Sequence, residues 1–159
     1  MTHRVLPEAK IAYRIGDPAG IYPVFSAEGA RLFAGRWHDV GQPVIYTSEH
    51  YSTAMLEKLV HFNGEIPSGQ HFVKITIPAG TSYEVFSPNH HPGWHEENEK
   101  IARTFGSAWF REKRSCILMV PSVVAREENN ILINTTHPDF DRINTELERP
   151  IWWDDRLYL

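Results

Sequence analysis

The 159-residue sequence has little of several features that mark well-known classes of protein. Its one cysteine, Cys116, excludes a disulfide framework within the chain. Cys116 stands in the apolar run CILMV, which indicates a buried strand residue rather than a nucleophile or a metal ligand. No apolar run approaches the length of a membrane span, and the opening MTHRVLPEAK has no apolar signal-peptide core. We therefore expect a cytoplasmic protein with no membrane partner.

An excess of positive charge is also missing. Sixteen Lys and Arg residues stand against 20 Asp and Glu residues, for a formal net charge of −4. This balance lacks the broad basic footprint of proteins that bind DNA or RNA, so we expect no direct nucleic-acid partner. The glycine-rich phosphate loops G-x-x-x-x-G-K-[ST] and G-x-G-x-x-G are absent as well. A nucleotide ligand would therefore need arginines for its phosphate contacts.

Short segments rich in β-branched and aromatic residues dominate the chain and predict strands. They cover residues 11–15, 44–48, 71–78, 82–86, 116–122 and 131–134. Helices are predicted at 27–33, with Ser26 as N-cap, at 49–62 and at 96–113. The carboxyl-terminal INTELERPIWWDDRLYL is typical of an edge strand or a tail. With no linker to divide the chain, these elements predict a single α+β domain over residues 1–159, built on a mixed β-sheet with a few helices.

The helix at 49–62 carries both an apolar stripe and a polar pair. The stripe, which we expect to be buried, consists of Met55, Leu56, Leu59, Val60 and Phe62. Glu57 and His61 lie four residues apart and are therefore neighbours away from that stripe. A polar pair of this kind is most often a solvated face. The alternative is a functional site, because the helix follows directly after the strand VIYTS.

Two further clusters of polar residues allow a structural and a functional interpretation. His90, His91 and His95 in NHHPGWHEEN could ligate a metal, but their spacing and the lack of a fourth ligand favour a polar loop before a helix. We therefore expect no metal. Ser122 follows Pro121 at the end of a buried strand, where its hydroxyl could meet a ligand or simply form a turn. No Gly-x-Ser-x-Gly motif marks Ser122 as a hydrolase nucleophile.

Two arginines are the candidates for contacts with a phosphate. Arg14 lies in the strand segment IAYRI, and Arg36 precedes Trp37 in GRWHDVGQPVIYTS. The planar fork of a guanidinium suits a phosphate, and an arginine borne on a strand needs a partner if it faces inward. Each arginine also has a common structural explanation, which is an ion pair with a carboxylate.

Five motifs follow one another in an order that resembles the RES-domain toxins, a family encoded beside Xre-like antitoxins. They read YRI, GARLFAGRWHDVGQPVIYTS, AMLEKLVH, VPSVV and ENNILINTTHPDF, and they extend from about residue 11 to the carboxyl terminus. The resemblance implies a fold similar to the ADP-ribosyltransferases, with NAD+ as the substrate in a cleft of the sheet. It also implies a toxin of a type II toxin–antitoxin system, with an Xre-like antitoxin as its protein partner.

The same resemblance assigns the catalytic residues. The family arginine falls on Arg36, the aromatic strand residue on Tyr46, the glutamate on Glu57 and the serine on Ser122. Arg36 is then expected to hold a phosphate, Tyr46 to stack on the nicotinamide ring, and Glu57 to stabilise the oxocarbenium-like ribose. Ser122 is expected to hydrogen-bond the nicotinamide ribose or amide.

Four neighbouring positions complete the expected site. Trp37 is expected to wall the cleft, and Arg14 is a second candidate for phosphate contact. His61 either touches the substrate or merely flanks Glu57. Where the family commonly reads GRWN, this chain reads GRWH, so His38 departs from the pattern.

Three functions remain open on the sequence alone. The first is a growth-inhibiting toxin that cleaves NAD+ at the nicotinamide–ribose bond. The second is a protein ADP-ribosyltransferase that uses NAD+, and the third is a non-catalytic module that binds the antitoxin. No residue in the sequence decides whether water, phosphate or a protein side chain would accept the ribose.

Overall fold

A single mixed sheet organises the computed structural model, which describes residues 4–62 and 65–158. Its strands are β1 (Lys10–Gly16), β2 (Val44–Ser48), β3 (His71–Ile77), β4 (Tyr83–Val85), β5 (Ile117–Pro121), β6 (Asn129–Asn134), β7 (Asn144–Thr145) and β8 (Arg149–Pro150). The order across the sheet is β4-β5-β6-β2-β1-β3-β7, and β8 also pairs with β3. Only the β4–β5 pair is parallel among these strands, so the sheet is mixed, as the sequence predicted.

The helices confirm the α+β interpretation. They are α1 (Glu28–Leu32), α2 (Tyr51–His61) and α3 (Lys100–Arg111), each shorter than the predicted segment. Ser26 lies one residue before the N-cap of α1, which is Ala27, and its Oγ accepts the backbone N–H of Glu28 at 3.1 Å. Short 3₁₀ turns occupy Pro88–His90, Pro138–Arg142 and Asp155–Tyr158. No helix in the described ranges has the length and apolar character to cross a membrane.

Both faces of the sheet are covered where β2, β5 and β6 run. One core cluster contains Ile45, Ile117 and Ile133, and a second cluster on the other side contains Trp109 and Leu118. A strand buried on both faces needs apolar residues at successive positions, which explains the unbroken run in β5. Cys116, at the start of that run, is fully buried, and burial raises the pKa of its thiol to about 12. The thiol is therefore protonated at neutral pH and is a poor nucleophile.

The predicted apolar stripe of α2 is exposed at three of its five residues and half-buried at Met55 and Leu59. The side chains of Leu56, Val60 and Phe62 are 40%, 52% and 36% exposed, whereas Thr53 and Ala54 are buried. The apolar pattern identified the helix correctly, but the fully buried residues of the helix lie outside the stripe. The side of the helix that faces the sheet is partly polar, because it borders a cleft rather than a closed core.

Helix α3 packs against the backbone of the GRW segment. A Cβ atom at Gly106 would overlap the carbonyl group of Trp37, so only glycine allows this approach. The sequence indicated Gly106 only as a weak point in the helix. In the fold it sets the position of residues 35–37 beneath β2.

The sheet splits between its two central strands. β1 pairs with β3 along all seven of its residues, and β2 pairs with β6 along all five of its residues. Between β1 and β2 there is one residue pair, Tyr13 with Ser48. Beyond that pair the strands diverge, and the guanidinium of Arg14 donates to the Tyr46 carbonyl oxygen at 2.8 Å. The side chain thus replaces a missing backbone hydrogen bond, and the gap opens a pocket.

Candidate active site

The pocket at this split has a volume of about 180 Å³ and is open to solvent. Its lining comes from β1 (Tyr13, Arg14, Ile15), β2 (Tyr46, Thr47, Ser48), α2 (Ala54, Glu57, Lys58, His61) and β6 (Asn130). The four α2 positions have the spacing of one helix face. The polar pair Glu57 and His61 therefore faces a cleft and not only bulk solvent.

Glu57 is the carboxylate of the pocket, and one of its oxygens is fixed. Oε1 accepts hydrogen bonds from Ser122 Oγ at 2.6 Å and from Asn130 Nδ2 at 2.9 Å. Oε2 has no hydrogen-bond partner within the described part of the chain, and the residue lines the pocket. Two donors on one oxygen hold the carboxylate in a single orientation and leave its second oxygen available for a ligand.

Ser122 donates a hydrogen bond to Glu57 and does not line the pocket. It is fully buried, it is not among the lining residues, and its Oγ also accepts the backbone N–H of Ala125 at 3.1 Å. The sequence-based expectation was that this hydroxyl would contact the nicotinamide ribose or amide. The structure instead brings it to the carboxylate of Glu57, behind the residues that line the pocket.

Asn130 is a site residue that the sequence reasoning missed. Its Oδ1 accepts a hydrogen bond from Ser48 Oγ at 2.7 Å, while its amide nitrogen donates to Glu57. A carboxylate only accepts, so this pair of contacts fixes the orientation of the amide. The available signal was a polar residue next to the apolar run ILI, but its partner depends on the register that pairs Ser48 with Asn130.

Two cations, Arg14 and Lys58, line the same pocket as this carboxylate. Burial lowers the pKa of Arg14 to about 10, which leaves it protonated at neutral pH, and it donates to the carbonyl oxygens of Val24 and Tyr46. Burial, followed by the nearby charge of Arg14, lowers the pKa of Lys58, and Asp17 opposes that shift. Lys58 is a second lining residue that the sequence reasoning missed. Together the two side chains make this side of the pocket suitable for an anion.

Tyr46 lines the pocket, and its hydroxyl is anchored in the interior. The hydroxyl oxygen accepts the backbone N–H of Trp37 at 3.1 Å and lies 2.7 Å from Nδ1 of His38. Burial raises the pKa of Tyr46, so the hydroxyl remains protonated. Gly35 lies opposite this hydroxyl, and a Cβ atom at that position would come within 2.6 Å of the hydroxyl oxygen.

Two residues expected to contact the substrate lie away from the pocket. Arg36 donates to the carbonyl oxygens of Trp94, at 3.3 Å, and Glu96, at 2.9 Å, and it is 3.7 Å from a Glu99 oxygen. Trp37 is 3% exposed and packs edge-on against Phe86 in the second core cluster. Neither side chain is among the lining residues. Trp37 therefore supports the cleft from inside and does not wall it.

The other candidate regions offer less chemistry. The loop with His90, His91 and His95 forms no group of three metal-binding side chains, and the same holds elsewhere in the described ranges. A larger groove of about 750 Å³ lies beside β4. Its carboxylates, Glu84 and Glu112, are both paired with Arg114. The split in the sheet is thus the site with an oriented carboxylate.

Comparisons with known proteins extend over most of the chain. A family model described as the RES domain matches residues 11–154. The chain is 36% identical over 152 residues to the Prs ADP-ribosylating toxin of Sphingobium sp. (strain YBL2), covering 91% of this chain and 94% of that protein. It is 32% identical over 153 residues to Toxin Res of Photorhabdus laumondii, covering 92% and 96%.

A solved structure has a similar fold. It is the crystal structure of the M. tuberculosis MbcT–MbcA toxin–antitoxin complex, in which one chain superposes with a TM-score of 0.68. The match covers 92% of this chain and 86% of that chain at 17% sequence identity. At that identity the likeness concerns the fold alone.

Proposed function

Because the chain belongs to the RES-domain family, we propose that it is the toxin of a toxin–antitoxin pair and breaks the nicotinamide–ribose bond of NAD+. The observation that carries the proposal is Glu57, a residue that lines the pocket and whose Oε1 is held by two donors, while Oε2 has no hydrogen-bond partner among the described residues. Cleavage of this bond passes through a ribose with oxocarbenium-like positive charge, as in glycoside hydrolysis. A fixed carboxylate at the ribose stabilises that charge without having to reorient.

The pocket suits one half of the dinucleotide. Its volume of about 180 Å³ is below the 300–1,000 Å³ range usual for sites that enclose a whole ligand. We therefore assign it to the nicotinamide ribose, with the remainder of NAD+ lying over the open side. Tyr46 offers the ring for nicotinamide stacking, and Arg14 and Lys58 offer charge for the phosphates. The role of Arg36 at a phosphate and that of His61 at the substrate stay predictions.

The electron balance of the step is simple. The C1′–N bond breaks, its electron pair leaves with nicotinamide, and the pyridinium becomes a neutral ring. An acceptor then forms a bond to C1′ and loses its proton to the surroundings. Water, phosphate or a protein side chain meets this requirement, so the acceptor decides whether NAD+ is degraded or ADP-ribose is transferred.

Transfer to a protein is the second candidate function. It is favoured by the Sphingobium relative, which is named for ADP-ribosylation and is 36% identical to this chain. To separate the two, NAD+ labelled in its adenylate half would be incubated with purified protein, with and without bacterial extract. A labelled protein band that needs the extract supports transfer, whereas labelled small products without a band support degradation.

We also propose an Xre-like antitoxin as the partner of this chain. The support is the family membership and a similar fold in a toxin–antitoxin complex. Co-expression with the protein encoded beside it should restore growth to cells that this chain inhibits. Purified chain that neither turns over NAD+ nor gains thermal stability from it would instead favour the third alternative, a non-catalytic antitoxin-binding module.

A further inference from the structure

We infer that His38, in its Nε2–H tautomer, is the positioning residue that fixes the ring of Tyr46 against the pocket. The inference rests on the proposed function, since the ring is the surface assigned to nicotinamide. His38 is 2% exposed and touches no lining position other than Tyr46 among its hydrogen-bond partners. It therefore acts through the tyrosine and not on the substrate.

The surrounding acceptors determine the tautomer. Nε2 of His38 lies 2.9 Å from the carbonyl oxygen of Ala30 and 2.9 Å from that of Phe33. Carbonyl oxygens only accept, so Nε2 carries the hydrogen. In the neutral ring Nδ1 is then an acceptor, and it accepts a hydrogen bond from the Tyr46 hydroxyl at 2.7 Å.

This arrangement satisfies every polar atom around the hydroxyl. The Tyr46 hydroxyl accepts a hydrogen bond from the Trp37 N–H at 3.1 Å and donates one to Nδ1 of His38 at 2.7 Å. The hydroxyl is thus held between the GRWH segment and the imidazole, and the imidazole is held by α1 and the residue after it. The tyrosine ring cannot turn away from the pocket without leaving buried polar groups unpaired, which is costly.

Two amide variants separate the contacts of the two imidazole nitrogens. An asparagine amide reaches as far as Nδ1, so His38→Asn can retain an acceptor for the Tyr46 hydroxyl while it loses the Nε2 contacts. A glutamine amide reaches as far as Nε2, so His38→Gln can retain the contact with α1 while it loses the acceptor. If His38 positions Tyr46, the glutamine variant is the more damaging of the two, although it conserves more side-chain volume.

The test measures KM and kcat for NAD+ in a double-mutant cycle. His38→Gln should raise KM roughly tenfold with a smaller change in kcat, because a stacking platform binds ground state and transition state alike. His38→Asn should raise KM less than His38→Gln does. In the Tyr46→Phe background, His38→Gln should add little further increase, since the shared hydrogen bond is already gone. His90→Gln, at an exposed histidine, is the matched control.

The outcomes distinguish the inference from the function on which it rests. Nitrogen NMR of the imidazoles should give the Nε2–H tautomer for His38, with an Nδ1 resonance that moves in Tyr46→Phe. Effects of His38→Gln and Tyr46→Phe that simply multiply, or a hydrogen on Nδ1, would overturn the inference while leaving NAD+ turnover intact. A folded wild-type protein without any NAD+ turnover would instead overturn the proposed function.

Discussion

The orientation of the Glu57 carboxylate depends on two neutral donors, and Asn130 is the one that can be altered without touching the buried serine. Asn130→Ala should lower kcat for nicotinamide release about tenfold, because one hydrogen bond to a charged group is lost while Ser122 still holds Oε1. Asn130→Asp should lower it further, since two carboxylates this close cannot both ionise. An aspartate variant as active as the alanine variant would contradict this account of the pair.

Lys58 provides a prediction about pH. Its pKa lies below that of an ordinary lysine because it is buried and near Arg14, so its charge is lost earlier as pH rises. If that charge holds a phosphate, KM for NAD+ should rise with increasing pH, and the rise should begin at a lower pH than the titration of an ordinary lysine would give. In Lys58→Arg the rise in KM should occur at a higher pH, because a guanidinium keeps its proton to higher pH than an amine does.

The comparison for Lys58 uses Lys100, an exposed lysine at the start of α3. Lys100→Arg should leave the pH dependence of KM as it is in the wild type. If Lys58→Arg also left it unchanged, Lys58 would have no role in binding the anion.

At the residue scale the sequence predicted part of the site. Glu57 and Tyr46 were selected through motif order, and the structure brings both to the pocket. Asn130 and Lys58 were missed because their significance depends on strand register and on the facing of a helix, which a linear pattern does not contain. The guanidinium of Arg36 was expected at the pocket. It instead donates hydrogen bonds to the carbonyl oxygens of residues 94 and 96, which are too distant in sequence for a local motif to indicate.

At the scale of elements, the contact between α3 and the GRW segment depends on one glycine. Gly106→Ala should lower the free energy of unfolding by about 3 kcal/mol, because the added methyl group meets the Trp37 backbone and not a flexible side chain. Urea denaturation measures the change. Since Trp37 donates to the Tyr46 hydroxyl, NAD+ turnover should decline as well.

Gly29 in α1 is the matched control for Gly106. A Cβ there would meet nothing within 4 Å, so Gly29→Ala should leave stability unchanged or raise it by a few tenths to about 1 kcal/mol through helix propensity. Equal decreases in the free energy of unfolding in the two variants would mean that the close approach of α3 to the Trp37 backbone does not limit stability.

Helix α2 illustrates what periodicity does and does not determine. The spacing of its apolar residues predicted a helix at the right place, with ends within two residues of those observed. It did not predict which side faces inward, because Glu57, Lys58 and His61 occupy the side that borders the pocket. A helix face that borders a ligand pocket is polar. A rule that takes the apolar side of a helix as its inward side therefore does not select such a face.

At the scale of the whole molecule, the site exists because the sheet divides between β1 and β2. The strands themselves were predicted from composition, but their order depends on pairings between distant segments, such as β2 with β6. The divergence of β1 from β2 could not be predicted at all. It depends on a single residue pair between the two strands and on the Arg14 side chain, which replaces a backbone hydrogen bond beyond that pair. One split therefore accounts for both the pocket and the buried arginine beside it.

The most direct test of the whole account is nicotinamide release from NAD+ by purified protein, comparing wild type with Glu57→Gln and with Glu127→Gln. Glu127 is an exposed residue in the loop after Ser122, so it controls for the loss of one negative charge. We predict rapid release by the wild type and by Glu127→Gln, and a loss on the order of 10²–10³ in Glu57→Gln, the range for one electrostatic contact in a transition state. Undiminished release by a correctly folded Glu57→Gln would contradict the assignment of Glu57 as the catalytic carboxylate.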